Sequence, residues 1–410
     1  MALKHWVWLS QRAGIGSRTA MQLLLHFGTP ERIYFADENE LRITGILSGP
    51  LYTAFTDKDI TKARIIVDKC DENNFRIITI NDAEYPERLR NIYDPPILIY
   101  VAGHLPIIDE EAAVAIVGTR KCTIYGTKTA ERMGYEITCS GGIVVSGLAR
   151  GIDSAAVRGA LRAGGRAVGV LGTGIDIVYP AENRSLFRDV VSVGALVSEY
   201  PPGTPPARGS FPARNRIISG LSVGVLVIEA PKKSGALITA ARALEQGRDV
   251  FAVPGNADSE ACAGSNELLR EGATFAVCGG DIISEYINRF PSKLVYGEKS
   301  RSLIPHEKRD SEADEDTQNS GEKPVPALKN EIDNKKSVDY IDLVIERASL
   351  SDSELRVIAV MKTGDMHVDE IIAESGIDVS SVLSALTLLQ IKGAVSQKNG
   401  KRFALIASFK

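Results

Sequence analysis

Two short segments combine glycine and arginine in a way that could bind a phosphate group. Each follows an apolar run and precedes a stretch with helical character. Glycine lets a ligand approach the backbone, a helix N-terminus offers free N–H groups, and arginine supplies a planar fork for phosphate oxygens. The residues concerned are Gly118, Thr119 and Arg120 in the first segment, and Ser146, Gly147 and Arg150 in the second.

A third segment, residues 208–220, mixes cationic, amide and aromatic side chains, which suits a phosphodiester with exposed bases. The side chains concerned are Arg208, Phe211, Arg214, Asn215 and Arg216. A structural role is the alternative: Phe211 could belong to the core, and the arginines could pair with carboxylates such as Glu199 or Glu229. Residues 234–239 begin a helix and could form a further phosphate nest.

These segments lack the groups that ATP-hydrolysing, dinucleotide-binding and histidine-dependent enzymes require. The second segment has no P-loop lysine, so it does not predict ATP hydrolysis. The loop at residues 172–174, GTG, lacks the last glycine of a dinucleotide fingerprint. The sequence has no histidine between His104 and His306, which leaves no imidazole base, nucleophile pair or histidine metal site there. We expect no catalytic residue, metal or cofactor.

Short apolar runs alternate with amphipathic stretches from about residue 111 to residue 281, after two probable strands at residues 76–82 and 97–103. Continuous apolar runs are typical of parallel strands that helices cover on both faces. In such open sheets, ligands bind at the carboxyl ends of the strands, where the segments above fall. The sequence therefore predicts an α/β fold with a Rossmann-like, mainly parallel sheet.

A helical unit and a winged helix are predicted to flank this sheet. Before it, short helices joined by glycine turns are typical of a SAM or helix-hairpin-helix domain, in which the turns either contact phosphates or simply allow sharp bends. Ser17 is the expected N-cap of one helix. At the other end, three helices and a hairpin around Asn399-Gly400 predict the winged helix. Its last helix has only Lys392 as a basic residue. The sequence therefore fits a protein-interaction or dimer role at least as well as DNA binding.

The predicted domains are 1–72 for the helical unit, 73–292 for the sheet, 293–340 for a linker and 341–410 for the winged helix. The linker is polar and lacks apolar periodicity, which predicts disorder. Net charge is -4, and hydrophobic residues make up 44% of the 410, as in ordinary globular proteins. With no signal peptide, no membrane-spanning run and no CxxC pair, we expect a cytoplasmic protein with free thiols.

Between about residues 113 and 272, several motifs follow one another: GTR, SGLARGID, a GTG loop leading to YPAEN, SEYPPG, FPARNRIISGLS, VIEA, SGALITA and EQGRDVFAVPG. Together they resemble the DNA-processing protein A family, also called DprA or Smf. The block FPARNRIISGLS is the most specific of them. The helical and winged-helix units are similar to those of the longer family members.

The resemblance implies a protein that binds single-stranded DNA independently of its sequence during natural transformation, protects it and loads the RecA recombinase onto it. It also implies a homodimer and no hydrolysis. By motif, Phe211 would stack against a base, and a phosphate pocket would be lined by Gly118, Thr119, Arg120, Gly147, Arg214, Asn215 and Arg216. Some relatives carry lysine where this chain has Ala181, so Arg208 or Arg184 is expected to supply that charge.

Two other functions fit parts of the sequence. Related nucleotide-binding Rossmann enzymes, the phosphoribohydrolases, cleave an N-glycosidic bond with an arginine and a glutamate, here Glu199, Glu229 or Glu245. Their PGGxGTxxE loop is replaced in this chain by APKKSGALITAARALE. A winged-helix regulator would need a basic recognition helix, which residues 382–392 do not provide.

Overall fold

The computed structural model describes residues 3–295, 344–345, 351–361, 365–391, 394–398, 402–405 and 408–409. The chain forms two compact units, Met1–Ser311 and Glu312–Lys410. From residue 296 onward the predicted linker lies outside the described residues, and so do Lys392 and the Asn399-Gly400 turn.

The first unit begins with a layer of short helices, as the sequence predicts. They are α1 (Leu3–Ser10), α2 (Ser17–Phe27), α3 (Pro30–Phe35), α4 (Glu38–Ile43), α5 (Gly49–Thr56) and α6 (Thr61–Glu72). Their core is aromatic: the Trp8 ring packs edge-on against Tyr34 and Phe55, with centroid separations of 5.1 and 5.6 Å. Gly14 turns the chain between α1 and α2 at a φ of 76°, which a residue with a side chain adopts only with strain.

A nine-stranded sheet follows, and eight of its strands run in the same direction. The strands are β1 (Arg76–Thr79), β2 (Leu98–Gly103), β3 (Ala113–Val117), β4 (Ile143–Ser146), β5 (Ala167–Leu171), β6 (Ala195–Ser198), β7 (Gly224–Val227), β8 (Asp249–Ala252) and β9 (Thr274–Phe275). Their order is β1-β2-β6-β5-β4-β3-β7-β8-β9. β2 pairs antiparallel with β1 and β6, and every other pairing is parallel. The predicted mainly parallel α/β sheet is confirmed.

Helices cover the sheet on both faces. They are α7 (Glu87–Arg90), α8 (Ile124–Cys139), α9 (Ile152–Arg162), α10 (Arg184–Val193), α11 (Ser210–Gly220), α12 (Gly235–Glu245), α13 (Ala263–Arg270) and α14 (Gly279–Tyr286). Every residue of β3, β4, β5, β6 and β7 is buried. Burial on both faces explains why these strands are continuous apolar runs and not alternating ones.

The helical layer is tied to the sheet through Ser17. The predicted role of this residue is wrong, because Gly16 occupies the N-cap of α2 and makes no side-chain bond. The Ser17 hydroxyl instead donates to Oε1 of Glu199, just after β6, at 3.2 Å. Ser17, at the start of α2, therefore contacts the sheet and does not cap its own helix.

The second unit has the arrangement of a winged helix. Its helices are α15 (Asp352–Val360), α16 (Val368–Ser375) and α17 (Val379–Ile391), and its three-stranded sheet is formed by β11 (Asp365–His367), β13 (Arg402–Leu405) and β12 (Val395–Lys398), in that order. A further short pair joins β10 (Val344–Ile345) to β14 (Ser408–Phe409). The predicted helices and hairpin strands are confirmed, and β11 is an addition that the sequence analysis missed.

Helices α8 and α9 cross at glycines that leave no room for a side chain. A Cβ at Gly134 would lie 2.0 Å from the carbonyl oxygen of Ala156, and one at Gly159 would lie 2.0 Å from that of Glu131. The close crossing holds the starts of both helices at the same edge of the sheet.

We expect Gly134→Ala to lower the free energy of unfolding by about 1–3 kcal/mol, because the added methyl group must push the two helices apart. Urea denaturation would measure the loss. The matched control is Gly49→Ala at the start of α5, where no atom lies within 4 Å of the new Cβ. Equal denaturation midpoints for the two variants would show that the crossing tolerates a side chain.

Candidate functional site

A cavity of about 570 Å³ opens at the carboxyl ends of the parallel strands. It lies where the strand order reverses: β3 and β7 are neighbours, but the chain continues from β3 to β4 on one side and from β7 to β8 on the other. Diverging connections leave a crevice at such a point. The walls are the loop after β3, the start of α12 and one face of α11.

Three exposed cations, Arg120, Arg208 and Lys233, line this cavity. Among the described residues, none of the three forms an ion pair with a carboxylate. Arg120 lies over the ring of Phe211, with its Cζ atom 5.3 Å from the ring centroid. Cations without counter-charges around a crevice attract an anion, so the site is suited to phosphate groups.

Phe211, Arg214, Asn215 and Arg216 all lie on α11 and not in a strand-end loop. Residues two apart on a helix do not face the same side, so Arg214 and Arg216 diverge. Arg214 lines the first cavity, whereas Arg216 lines a second one of about 590 Å³ between α11 and the helical layer. The two arginines therefore do not form one phosphate-binding surface.

Arg216 is buried in a network that joins the two layers. Its guanidinium donates to Asp94 Oδ2 at 3.0 Å, to Glu199 Oε1 at 2.7 Å and to the Ser17 hydroxyl at 3.1 Å. This arrangement contradicts the expectation that Arg216 extends the phosphate pocket. It agrees with the structural alternative, in which an arginine of this segment pairs with Glu199.

Glu229, the other carboxylate considered for such a pair, has different partners. It is fully buried and accepts the backbone N–H of Thr123 at 2.9 Å and the Thr123 hydroxyl at 2.5 Å. Its backbone carbonyl accepts the N–H of Thr119 at 2.7 Å. Pairing of Glu229 with an arginine of α11 is therefore wrong, and this residue instead fixes the loop after β3.

Arg214 is also buried, beneath the floor of the cavity. Its Nη1 donates to the carbonyl oxygen of Gly147 at 3.0 Å and also to that of Val170. Burial lowers the pKa of Arg214 to about 10, although the carboxylate of Asp153 opposes this shift. Burial likewise raises the pKa of Asp153, against the attraction of Arg214. Arg214 and Asp153 are thus two buried, opposite charges that attract each other, and the hydrogen bonds of Arg214 join the ends of β4 and β5.

The glycines after β3 and β4 are required by packing. A Cβ at Gly147 would lie 2.5 Å from the Arg214 guanidinium, and a Cβ at Gly118 would lie 2.5 Å from the side chain of Ile152. Ser146 is fully buried, and its hydroxyl donates to the carbonyl oxygen of Ile116 at 2.8 Å. The sequence predicts ligand contact for these residues, whereas in the structure they allow the loops to pack closely.

Lys233, Tyr179 and Asn183 also belong to the site region, although their sequence patterns did not predict it. Lys233 precedes Ser234, the N-cap of α12, and lines the cavity, as does Tyr179. Asn183 is buried and donates to the Leu148 carbonyl oxygen at 3.0 Å, so it holds the loop after β4. Tyr179 and Asn183 are the first and last residues of the YPAEN block, which is the sequence signal for both.

The structure brings most of the predicted site residues together. The main cavity is lined by Gly118, Thr119, Arg120, Arg208, Phe211, Arg214 and Asn215. A smaller adjacent cavity is lined by Gly147 and Arg150, among others. Ser146, Arg216 and Arg184 line neither of these two cavities.

Three further features bear on function within the described ranges. No helix there is both long and apolar enough to cross a bilayer. That part of the chain also contains no group of three or more His, Cys, Asp or Glu residues that could hold a metal ion. All five cysteines are free.

The fold and the site define a Rossmann-like α/β protein. Its crevice lies where the strand order reverses and is lined by exposed cations. Comparison with known proteins identifies it further. The chain belongs to the family described as DNA recombination-mediator protein A, whose model matches residues 76–287. The model of the DprA winged helix domain matches residues 346–401. The family resemblance and the winged helix are thereby confirmed.

Individual relatives agree with this assignment. The chain is 32% identical to Protein Smf of Synechocystis sp. over 97% of its own length and 98% of that protein. It is 41% identical to the DNA processing protein DprA of Bacillus subtilis over 53% of this chain and 73% of that protein. The X-ray structure of DNA processing protein A from Streptococcus pneumoniae superposes with a TM-score of 0.62 and 33% identity, covering 69% of this chain and 97% of that chain.

We expect Asp153→Asn to lower the free energy of unfolding by about 1–3 kcal/mol, because it removes the buried opposite charge that attracts the Arg214 guanidinium. Arg214→Met should cost a similar amount by stranding Asp153. The double variant carries neither buried charge and should lose less than the sum of the two. Urea denaturation of the three variants tests this, and strictly additive losses would show that the two side chains do not act as a pair.

Proposed function

We propose that this protein binds single-stranded DNA in the main cavity, independently of base sequence. The observation that carries the proposal is the set of cations that have no ion-pair partner in the described part of the chain, Arg120, Arg208 and Lys233, around a crevice bordered by the ring of Phe211. Phosphates are common to all sequences, and every base has a face that can stack on an aromatic ring. The names of the relatives, which describe DNA processing, support DNA as the ligand.

The position of Phe211 favours a single strand over a duplex. The ring lies half-buried in the wall of a cavity of about 570 Å³, beside Arg120. The bases of a duplex are stacked on each other, whereas those of a single strand can turn out and reach such a ring. A base on Phe211 and its phosphate on Arg120 would occupy adjacent parts of the same crevice.

We propose that the protein performs no chemistry on the strand. The carboxylates that an N-glycosidase would use do not line the main cavity: Glu199 pairs with Arg216, Glu229 is bonded to Thr123, and Glu245 pairs with Arg242. Asp153 does line it, but its carboxylate is buried next to Arg214. The side chains in the cavity are therefore suited to binding.

We further propose that the bound strand is protected and then passed to RecA, during natural transformation and in the cytoplasm. The description of the family as recombination mediators supports a recombinase partner. A homodimer would bring two cavities to one strand and raise affinity through effective concentration. The winged helix is proposed to contact protein or DNA.

We expect Arg120→Ala to weaken binding of labelled oligo(dT) at least about tenfold at roughly 100 mM salt, because a phosphate contact is lost. Three phosphate contacts predict a slope of about -2 for log K against log salt, and the variant should lose about 0.7 of it. Arg162→Ala is the matched control, since Arg162 is an exposed arginine at the end of α9, outside both cavities. Unchanged affinity and slope for the Arg120 variant would overturn the assignment of the cavity.

A mobility shift with the full chain tests the wider function. We expect single-stranded competitor to displace the labelled strand far better than duplex of equal length, because only the single strand exposes its bases. Added RecA should give a slower ternary complex and then RecA-coated DNA. Equal competition by duplex would overturn single-strand binding, and a RecA pattern identical with and without this protein would overturn RecA loading alone.

A further inference from the structure

The smaller cavity directly beside the main one has a volume of about 210 Å³. The residues that line both are Arg120, Ala149, Tyr179, Phe211 and Arg214. The smaller cavity adds side chains of its own, including the exposed Lys121 and Arg150. The site thus has two compartments with a common wall.

The common wall carries an aromatic pair. The rings of Tyr179 and Phe211 lie with their centroids 5.4 Å apart and their planes tilted by 36°. Tyr179 is 41% exposed, so part of its ring remains open to a ligand. Arg120 lies over the other ring of the pair, where both compartments can reach its guanidinium.

We propose that the smaller cavity is a second nucleotide subsite, in which the base stacks on Tyr179 and Arg150 and Lys121 bind the phosphate. The inference rests on the proposed single-strand binding. One strand would cross the wall between the cavities with a phosphate at Arg120, the base on one side at Phe211 and the base on the other side at Tyr179. Such stacking tolerates every base, in keeping with binding that does not depend on sequence.

A carboxylate in this subsite, that of Glu182, opposes the binding of phosphate. The Arg150 guanidinium is paired with the Glu182 carboxylate, and its Nη2 donates to Oε2 at 2.9 Å. Both side chains are more than half exposed, at 63% and 51%. A phosphate must therefore compete with this carboxylate for Arg150 and also overcome its repulsion. Removal of the negative charge should strengthen binding, a result that loss of structure does not produce.

The first test uses variants of Tyr179 in the full chain with oligo(dT) and with an oligonucleotide that carries one 2-aminopurine. Tyr179→Ala should weaken binding at least about fivefold and reduce the fluorescence quenching on binding, because the stacking surface is lost. Tyr179→Phe keeps that surface and should bind as the parent does. Tyr93→Ala is the matched control, because Tyr93 is exposed elsewhere, beside Arg18.

The second test removes the carboxylate. Glu182→Gln should raise affinity for oligo(dT) about two- to fivefold at low salt, and the gain should shrink as salt screens the charges. Arg150→Gln should lower affinity. Glu84→Gln is the matched control, because Glu84 is paired with Arg76 at 3.1 Å in an exposed pair outside both cavities.

The outcomes separate the two proposals. If the parent protein does not bind single-stranded DNA, the proposed function fails and the second subsite fails with it. If the parent binds and Arg120→Ala weakens it, but the Tyr179, Arg150 and Glu182 variants match their controls, only the second subsite is overturned. Loss of affinity in Tyr179→Ala together with a gain in Glu182→Gln supports it.

Discussion

The buried guanidinium of Arg214 is the constraint on which the rest of the site depends. It joins the loops after β4 and β5 by donating to the carbonyl oxygens of Gly147 and Val170. The buried carboxylate of Asp153 attracts this guanidinium, and a Cβ at Gly147 would collide with it. The loop after β4 leads directly into α9. The contact between Arg214 and Gly147 therefore also positions the floor of the cavity beneath the exposed cations.

Helix α11 connects this floor to the helical layer. One face presents Phe211 and Asn215 to the main cavity, and the other buries Arg216 among Asp94, Glu199 and Ser17. The helix is therefore fixed from both sides by buried charge, while its exposed residues remain available to a ligand. Buried ion pairs add little net stability, but they are costly to break, which suits them to holding a binding surface in place.

Much of the fold could be predicted from the sequence. Continuous apolar runs identified the parallel strands, because burial on both faces removes the alternation that a half-exposed strand would show. The helices and hairpin strands of the winged helix followed from periodicity. The weak points were short polar details: Ser17 was expected to cap α2, and β11 was missed, since it has only three residues, Asp365–His367. The preference of a residue for a helix cap does not determine its role where a tertiary contact, such as that of Ser17 with Glu199, engages the same side chain.

The sequence by itself determined the family, the sheet and the group of segments that meet at its carboxyl edge. Its motifs could not distinguish the exposed Arg120 from the buried Arg214 and Arg216, because all three stand in similar glycine- and arginine-rich surroundings. Only the tertiary structure decided that Arg120 faces the crevice while the other two are held by carboxylates and carbonyl oxygens. The physical reason is that burial and pairing depend on residues distant in sequence, such as Asp94 and Val170, which the fold alone brings into contact.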